Sequence, residues 1–507
     1  MREVVRGNKL FSGALAAGAV LRLLAVLGYP GALWFAGDSY VYLGAALRPE
    51  PDLSKATGYS FFLRMLLPFH SLTLVVVAHH LMGLADAVLI YALLRRASVP
   101  KKWATVATLP VLLDGYFIEN EHLIMTEALF TFLLLAAMAL VLWRPAITWW
   151  KALLAGLMLG YAAIVRTEGE AVLLLFPLAL LIRGWAWKTV RGWAMAALMC
   201  VGILIPLGGY MTWFHRDHGV YDTTLAQGYF TWGRVSSFAD CARIRPTGEE
   251  ARVCPVQSIK HRTAPGNYIW HAPYVHKDIE AIGGPVSRAG NSLLTSFAIH
   301  AVEAQPLSYA KTVLKGTLLA FGFPRIAYPG AGTTYYYSFH LHYKTAKYNM
   351  LPPDKTTHEW IPGGTAYSDW LGYGHQRPGA VNTVFAVPIL IYQRVIYTYG
   401  PLLAIIFLTG LGGVIAVRRR GWTPRRAWDV RKLRLAFQVR GTSMLPWITA
   451  VALLTAPVAV ADFDYRYLIP ALPFACLAAG LAFAPSRAPD AAAPAPEREA
   501  AVPDSVA

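Results

Sequence analysis

The chain of 507 residues is 56% hydrophobic, 15% charged and positive in mean hydropathy, more apolar surface than a soluble core can hide, which assigns it to a bilayer. Its net charge of +17 does not argue for nucleic acid, because the densest basic cluster, from Arg418 to Arg440, lies between two long apolar segments where membrane orientation explains it. The absence of a Walker loop, an HExxH and a GxSxG motif leaves an energy-coupled pump or a soluble-type hydrolase without support.

Apolar runs predict helices at about 10–28, 71–94, 103–118, 123–142, 151–166, 169–183, 193–213, 395–417, 442–462 and 466–484, roughly ten spans of an all-α polytopic membrane protein. The first carries Arg22 and no small-x-small cleavage site, so it is expected to remain as a signal anchor. Basic groups at Arg2, Arg6 and Lys9, at Arg95, Arg96, Lys101 and Lys102, at Arg144 and Lys151, at Arg183, Lys188 and Arg191, and across 418–440 all fall on one side when spans alternate. The positive-inside rule makes that side the cytosol, with both termini in it. The opposite side then receives residues 29–70, 119–122, 166–168, 214–394 and 463–465.

The expected organisation is an N-terminal transmembrane module, 1–213, of about seven spans with its outer loop 29–70. An extracytoplasmic domain, 214–394, follows, then a C-terminal module, 395–484, of about three spans, and a disordered cytosolic tail, 485–507, rich in Ala, Pro and acids. In the outer loop, Leu43–Leu47 and Tyr59–Leu67 are apolar but too short to span, and read as helices lying in the interface, with a break at Gly58-Tyr59-Ser60. The Gly, Pro, Tyr and His content of 214–394 suggests a mixed, irregular domain with few long strands, and helices over Ala298–Phe321 and Val381–Ile391. Cys241 and Cys254 stand in that domain; an oxidising compartment would join them, and a reducing one would leave two free thiols.

Apart from His79 and Asp86 inside the second span, the residues suited to chemistry lie on the expected outer side. Asp38, just beyond the first span, can accept a proton from an acceptor hydroxyl while a lipid phosphate departs, although a plain N-cap for a helix starting at Ser39 or Tyr40 would also explain it. Glu119, Glu121, His122 and Glu127 cluster between the third and fourth spans. They could hold a divalent cation or orient an acceptor, or they could be helix-end acids favoured by the dipole. Arg166 ends a span of only about 24 Å against a hydrocarbon thickness of about 30 Å, so it should sit below the surface. A guanidinium there demands an anion, either a lipid phosphate or an internal partner in Glu168 or Glu170. Arg466, flanked by Asp464, Tyr465 and Tyr467, reads as a second phosphate clamp or as an arginine snorkelling through an aromatic belt. His79 and Asp86 share a helix face inside the second span, as in a proton path or an interhelical contact. His261, His271, His276, His340 and His342 show no convincing ligand spacing.

The stretches FAGDSYVYL, GYSFFL, MTEALFTFLLLA, GYAAIVRTEGE and DYRYLIPALPF, in this order and on one side, resemble the GT-C glycosyltransferases. The likeness is to the lipid-carrier-dependent branch that includes protein O-mannosyltransferases and lipid A aminoarabinose transferases. It covers about the first 215 residues and the last two spans. It implies a polyprenyl-phosphate sugar donor, inversion at the anomeric carbon, and a catalytic base at Asp38. It also suggests that Glu121 or Glu127 lines the pocket and that Arg166 and Arg466 hold donor phosphate. The site is further expected to include Tyr40, Tyr59, Glu119 and His122 as acceptor or pocket residues, with support from Glu168, Asp464 and Tyr467. One departure is that Ser39 follows Asp38 where the mannosyltransferases carry Asp-Glu.

The expected partners are the donor lipid, a glycan, lipid or protein acceptor, and the bilayer, with no cofactor required beyond a divalent cation at Glu119, Glu121 and His122 if one is held. The chief alternative is a transporter or flippase of a lipid-linked saccharide that uses the same arginines. A non-catalytic subunit binding a partner through 214–394 is a third reading.

Overall fold

A computed structural model describes residues 7–143, 146–271, 277, 279–330, 337–341, 359–374, 381–415 and 430–485. The expected tail from 486 onward and much of the 418–440 basic cluster lie outside them, as do His276 and His342. The described chain is almost wholly helical; its one sheet is a two-stranded antiparallel hairpin, Glu359–Ile361 with Gly364–Thr365.

Among the described residues, four helices are long and apolar enough to cross a membrane: Lys9–Gly28, Leu72–Arg96, Val190–His218 and Ser443–Val460. Thr383–Val395 and Gly400–Ile415, bent by 63° at their break, make five if they count as one span. The expected ten are not all present at full length. The run at 103–118 divides into Lys101–Val106, Leu109–Leu113 and Gly115–Glu121. Pro110 occupies the first turn of the second piece, and the Asp114 carboxylate caps the third by accepting from the Tyr116 and Phe117 amides. The run at 169–183 begins as a 3-10 turn, Thr167–Val172, and becomes α-helical only over Leu175–Ile182. Glu127–Leu142, Trp149–Val165 and Tyr465–Leu481 are apolar but shorter.

Trp149–Val165 packs along Val190–His218 through glycines. A Cβ on Gly156 would stand 2.2 Å from the Met199 carbonyl oxygen, and one on Gly160 2.2 Å from that of Ile203. Only hydrogen at those positions lets the two backbones approach so closely. Gly58 does the same for the outer loop, since its Cβ would meet the Ile164 carbonyl at 2.4 Å. The start of helix Gly58–Leu66 is thereby seated beside Arg166.

The two short helices of the 29–70 loop form at Ala36–Leu47 and Gly58–Leu66, and each buries one face against protein. Leu43, Ala46, Tyr59, Phe62 and Leu63 are buried in the main apolar core, because the chain's own C-terminal outer segment covers them. Arg48 holds Asp369 through two bonds of 2.6 and 2.8 Å, Arg48 Nε donates to the Pro362 carbonyl at 2.8 Å, and the Tyr373 hydroxyl donates to the Leu63 carbonyl at 2.7 Å.

Between 214 and 394 the chain does two things. Helices Gln227–Ser236 and Arg288–Ala304 build a separate core around Trp232, Ile269, Leu294 and Phe297, with Cys241 and Cys254 disulfide-bonded at its edge. Pro306–Leu318 continues from it, and Gly316 abuts Val458 of the Val430–Val460 helix. The predicted helix over Ala298–Phe321 is thus interrupted at Gln305, where Pro306 starts a new one.

Candidate active site

The outer loop reaches its place through backbone pairing. The Leu33 amide donates to the His122 carbonyl and the Ile124 amide to the Leu33 carbonyl, both at 3.0 Å. Ser39, fully buried, secures the same junction: its hydroxyl accepts from the Phe35 amide at 2.8 Å and donates to the Ile124 carbonyl at 2.9 Å. The residue that departs from the Asp-Glu pattern is therefore a tether. Its side chain points into the protein.

Asp38 lies in the first turn of Ala36–Leu47, whose N-cap is Phe35, so it is not the capping residue. Both of its oxygens are engaged: Oδ1 with Lys55 Nζ at 2.8 Å and Oδ2 with Arg466 Nη1 at 3.0 Å. Burial would raise the carboxyl, but the adjacent Lys55 ammonium and Arg466 guanidinium outweigh it and hold the group down at about 2.

Arg466 is fixed from several directions. Its amide donates to Asp464 Oδ1 at 3.1 Å, its Nε lies 3.7 Å from Asp464 Oδ2, and its guanidinium rests over the Phe35 ring at 5.0 Å and the Tyr467 ring at 5.6 Å. Asp464 is itself held by the Tyr337 hydroxyl at 2.7 Å.

Arg166 pairs with Glu127, a partner that the residue spacing did not suggest, and with Glu168, Nε to Oε2 at 3.0 Å. It also donates to the Thr126 hydroxyl at 3.0 Å. Glu170 instead accepts from the Thr223 hydroxyl at 3.0 Å. Arg166 lies over the Tyr467 ring at 5.6 Å, so this one aromatic ring takes a guanidinium from each of two distant segments.

These groups border one cavity of about 370 Å³, lined by Asp38, Tyr42, Lys55, Arg166, Glu168, Glu170, Arg466 and Tyr467. Gln227, Phe230 and Thr231 of the helix Gln227–Ser236 add a mixed wall, and Ala456, Pro457 and Val460 an apolar one. Lys55 is a site residue that the sequence reading passed over. Its signal was available, since it is the only lysine in 29–70, on the side where the charge bias leaves few cations.

Tyr40, Tyr59, Glu119, Glu121, His122, Glu127 and Asp464 do not line the cavity. Tyr40 stacks on Trp34 in the core. Tyr59 meets Tyr42 edge-on at 5.2 Å and bonds His79 Nε2 at 3.2 Å. Glu121 turns inward to Arg22, with Nε to Oε2 at 2.8 Å and Nη2 to Oε1 at 2.7 Å. The remaining guanidinium hydrogens go to the carbonyls of Gly18, Val111 and Leu112. His80 Nδ1 lies 2.7 Å from Glu121 Oε2, His80 Nε2 is 3.1 Å from His122 Nδ1, and His122 Nε2 is 2.9 Å from the Tyr29 carbonyl. His122 must donate to that carbonyl, so His80 Nε2 carries hydrogen and a further proton is shared between His80 and Glu121.

Glu121 and His122 are thus engaged with Arg22, His80 and the Tyr29 carbonyl. Among the described residues no group of three or more His, Cys, Asp or Glu side chains is arranged to hold a metal. Glu119 and Asn120 are buried with side-chain polar atoms unpartnered, and Glu127 reaches the cavity only through Arg166. His79 bonds Tyr59 and the Glu121 carbonyl, and Asp86 Oδ1 has no partner, so no hydrogen bond joins these two as a path.

Residues 68–221 match the family model described as dolichyl-phosphate-mannose-protein mannosyltransferase. No curated protein matches the chain. Among solved structures, the oligosaccharyltransferase of Archaeoglobus fulgidus is similar in its apo form and as AglB in complex with an inhibitory peptide and a dolichol-phosphate, each at 11% identity and TM-score 0.40. The same enzyme tethered to an acceptor peptide gives a TM-score of 0.39. The alignments cover 92% of this chain and 49% to 50% of those, so the chain spans about half their length. The matched segment contains Glu127, Arg166 and Glu168 and leaves out Asp38, Lys55 and Arg466. Over residues 68–221 the chain carries a mannosyltransferase-family region, and its resemblance to the lipid-carrier-dependent GT-C glycosyltransferases holds there.

Proposed function

We propose that the protein is a membrane glycosyltransferase that moves a sugar from a polyprenyl-phosphate donor to an acceptor hydroxyl on the extracytoplasmic side. Asp38 takes the hydroxyl proton as the acceptor oxygen bonds to the anomeric carbon from the face opposite the phosphate. The bond from that carbon to the phosphate oxygen breaks, its electron pair stays on the phosphate, and the sugar is inverted. Arg166 and Arg466 stabilise the charge that grows on the leaving phosphate, and Glu168, Asp464 and Tyr467 hold the two guanidinium groups in place. Tyr42 and Lys55 complete the donor end of the pocket. The acceptor enters beside Gln227 and Thr231.

In this reading the shorter apolar helices complete the crossings in roughly ten passes. The basic loops face the cytosol, and the 214–394 segment stands outside as the acceptor-facing part. The observation that carries the proposal is the meeting of one carboxylate and two guanidinium groups at a single cavity, with Asp38 and Arg466 in contact across 428 residues of sequence. The family model over 68–221 supports the donor class.

The test is reconstituted protein supplied with a labelled polyprenyl-phosphate sugar. A new glycosidic bond in wild type, lost in Asp38→Asn with donor binding retained, is the expected result. Transfer that survives Asp38→Asn overturns the role of the base, and movement of the label between leaflets without bond formation makes the protein a flippase.

A further inference from the structure

Asp38 is doubly paired, and a carboxylate with a cation on each oxygen is a poor acceptor for a hydroxyl proton. Departure of one cation makes it a better base. The two are not equally free to go. Arg466 is held by Asp464 and by two aromatic rings. Lys55 forms an ion pair only with Asp38 among the described residues, and it does so at the end of a flexible four-carbon stem. Its backbone is anchored: the Asp52 carboxylate accepts from the Lys55 amide at 3.0 Å, and the Leu225 amide donates to the Leu53 carbonyl at 2.7 Å. Movement of Lys55 is therefore confined to its side chain, which borders the same cavity as Arg166 and Arg466.

We propose that Lys55 is an exchangeable partner: an incoming phosphoryl group draws its ammonium away from Asp38 Oδ1, so the base is uncovered only when donor is bound. This inference rests on the donor reading above. It makes the order of events compulsory, donor first and acceptor second, and keeps the empty site inert. The phosphate in turn gains a third cation beside the two guanidinium groups. Removal of Lys55 from Asp38 also removes one of the two charges that hold this carboxyl low, so donor binding raises its basicity.

The exchange predicts a result that simple phosphate binding does not. With Asp38 and the phosphate competing for Lys55, Asp38→Asn should tighten binding of farnesyl phosphate to the detergent-solubilised full chain by about three- to tenfold, the scale of a partly exposed ion pair. In Lys55→Met the affinity should fall, and adding Asp38→Asn to it should recover little. Asparagine keeps the shape of aspartate, and a melting curve on each variant confirms that the fold is retained. Inorganic phosphate in a parallel titration should bind far more weakly; equal behaviour of the two probes would assign the site to a free phosphate. An affinity unchanged by Asp38→Asn, or a gain that persists without Lys55, overturns the exchange while leaving the donor reading in place. Failure of every variant to bind farnesyl phosphate overturns both.

Discussion

Two arginine–carboxylate pairs in this protein use the same chemistry for opposite ends. Arg22 and Glu121 meet through two hydrogen bonds in the buried core, carbonyls take the remaining guanidinium hydrogens, and His80 lies against the same carboxylate. Arg466 and Asp38 meet through a single bond at the edge of a cavity, with Lys55 on the other oxygen. The first pair is closed on every side and can only hold helices together. The second is open on one side, and its parts can trade partners. What distinguishes the two pairs is the number of positions around the ions left for something else, since the residue types are nearly the same.

The largest effects should come from breaking the two pairs separately. Glu121→Gln leaves Arg22 charged and uncompensated in the interior, at a cost of about 3–5 kcal/mol. It should appear as poor accumulation and a lowered melting temperature, with normal transfer per folded molecule. Asp38→Asn should do the reverse: near-normal yield, a melting temperature lowered less than in Glu121→Gln, and transfer reduced by about 10² to 10⁴-fold. If both variants lose yield, or both lose only turnover, the contrast fails.

Replacing both members sharpens the comparison. Arg22→Met with Glu121→Leu should restore most of the stability lost in Glu121→Gln, because two apolar groups need no partner. No matching double replacement at Asp38 and Arg466 should restore transfer. A smaller effect is expected of Arg166→Lys, which keeps the charge but loses the planar fork. Transfer should fall by about tenfold, mainly through weaker donor binding, as read from KM when donor is varied.

The smallest effect is on pH. The Asp38 carboxyl sits at about 2 in the folded protein, below the ordinary aspartate value of about 3.9, so it adds stability that is fully present above about pH 4 and is lost as pH falls toward 2. The melting-temperature difference between wild type and Asp38→Asn should be constant from pH 7 to about 4.5 and shrink below that. The value of kcat/KM for donor should show no acid limb from this group above about pH 4.

Sequence patterns located the open pair better than the closed one. Asp38, Arg166 and Arg466 stand out because they are charges at the ends of apolar runs, and the structure puts them at one cavity. Glu119, Glu121 and His122 stand out for the same reason, yet they face inward. The partner that neutralises Glu121 is Arg22, 99 residues earlier, and nothing local distinguishes an acid aimed at solvent from one aimed at a buried guanidinium. Lys9–Gly28, Leu72–Arg96 and Val190–His218 were legible because their hydropathy is sustained over full spans. The run at 103–118 was not, since Pro110 and Asp114 interrupt the backbone without lowering average hydropathy enough to show. Ser39 reads as a departure from a family pattern, and only the fold reveals it as the bolt between the 33–39 and 122–124 segments.

The cavity wall is assembled from residues near 38–56, 165–171, 224–231 and 456–467. During synthesis, a ribosome that has threaded the first four hundred residues into the membrane has made Asp38, Lys55 and Arg166 but no Arg466. On the roles proposed here, that nascent chain should not turn over donor, and competence should arrive with the segment that carries Arg466. Truncation products and stalled translation intermediates should be silent bystanders rather than leaky half-enzymes.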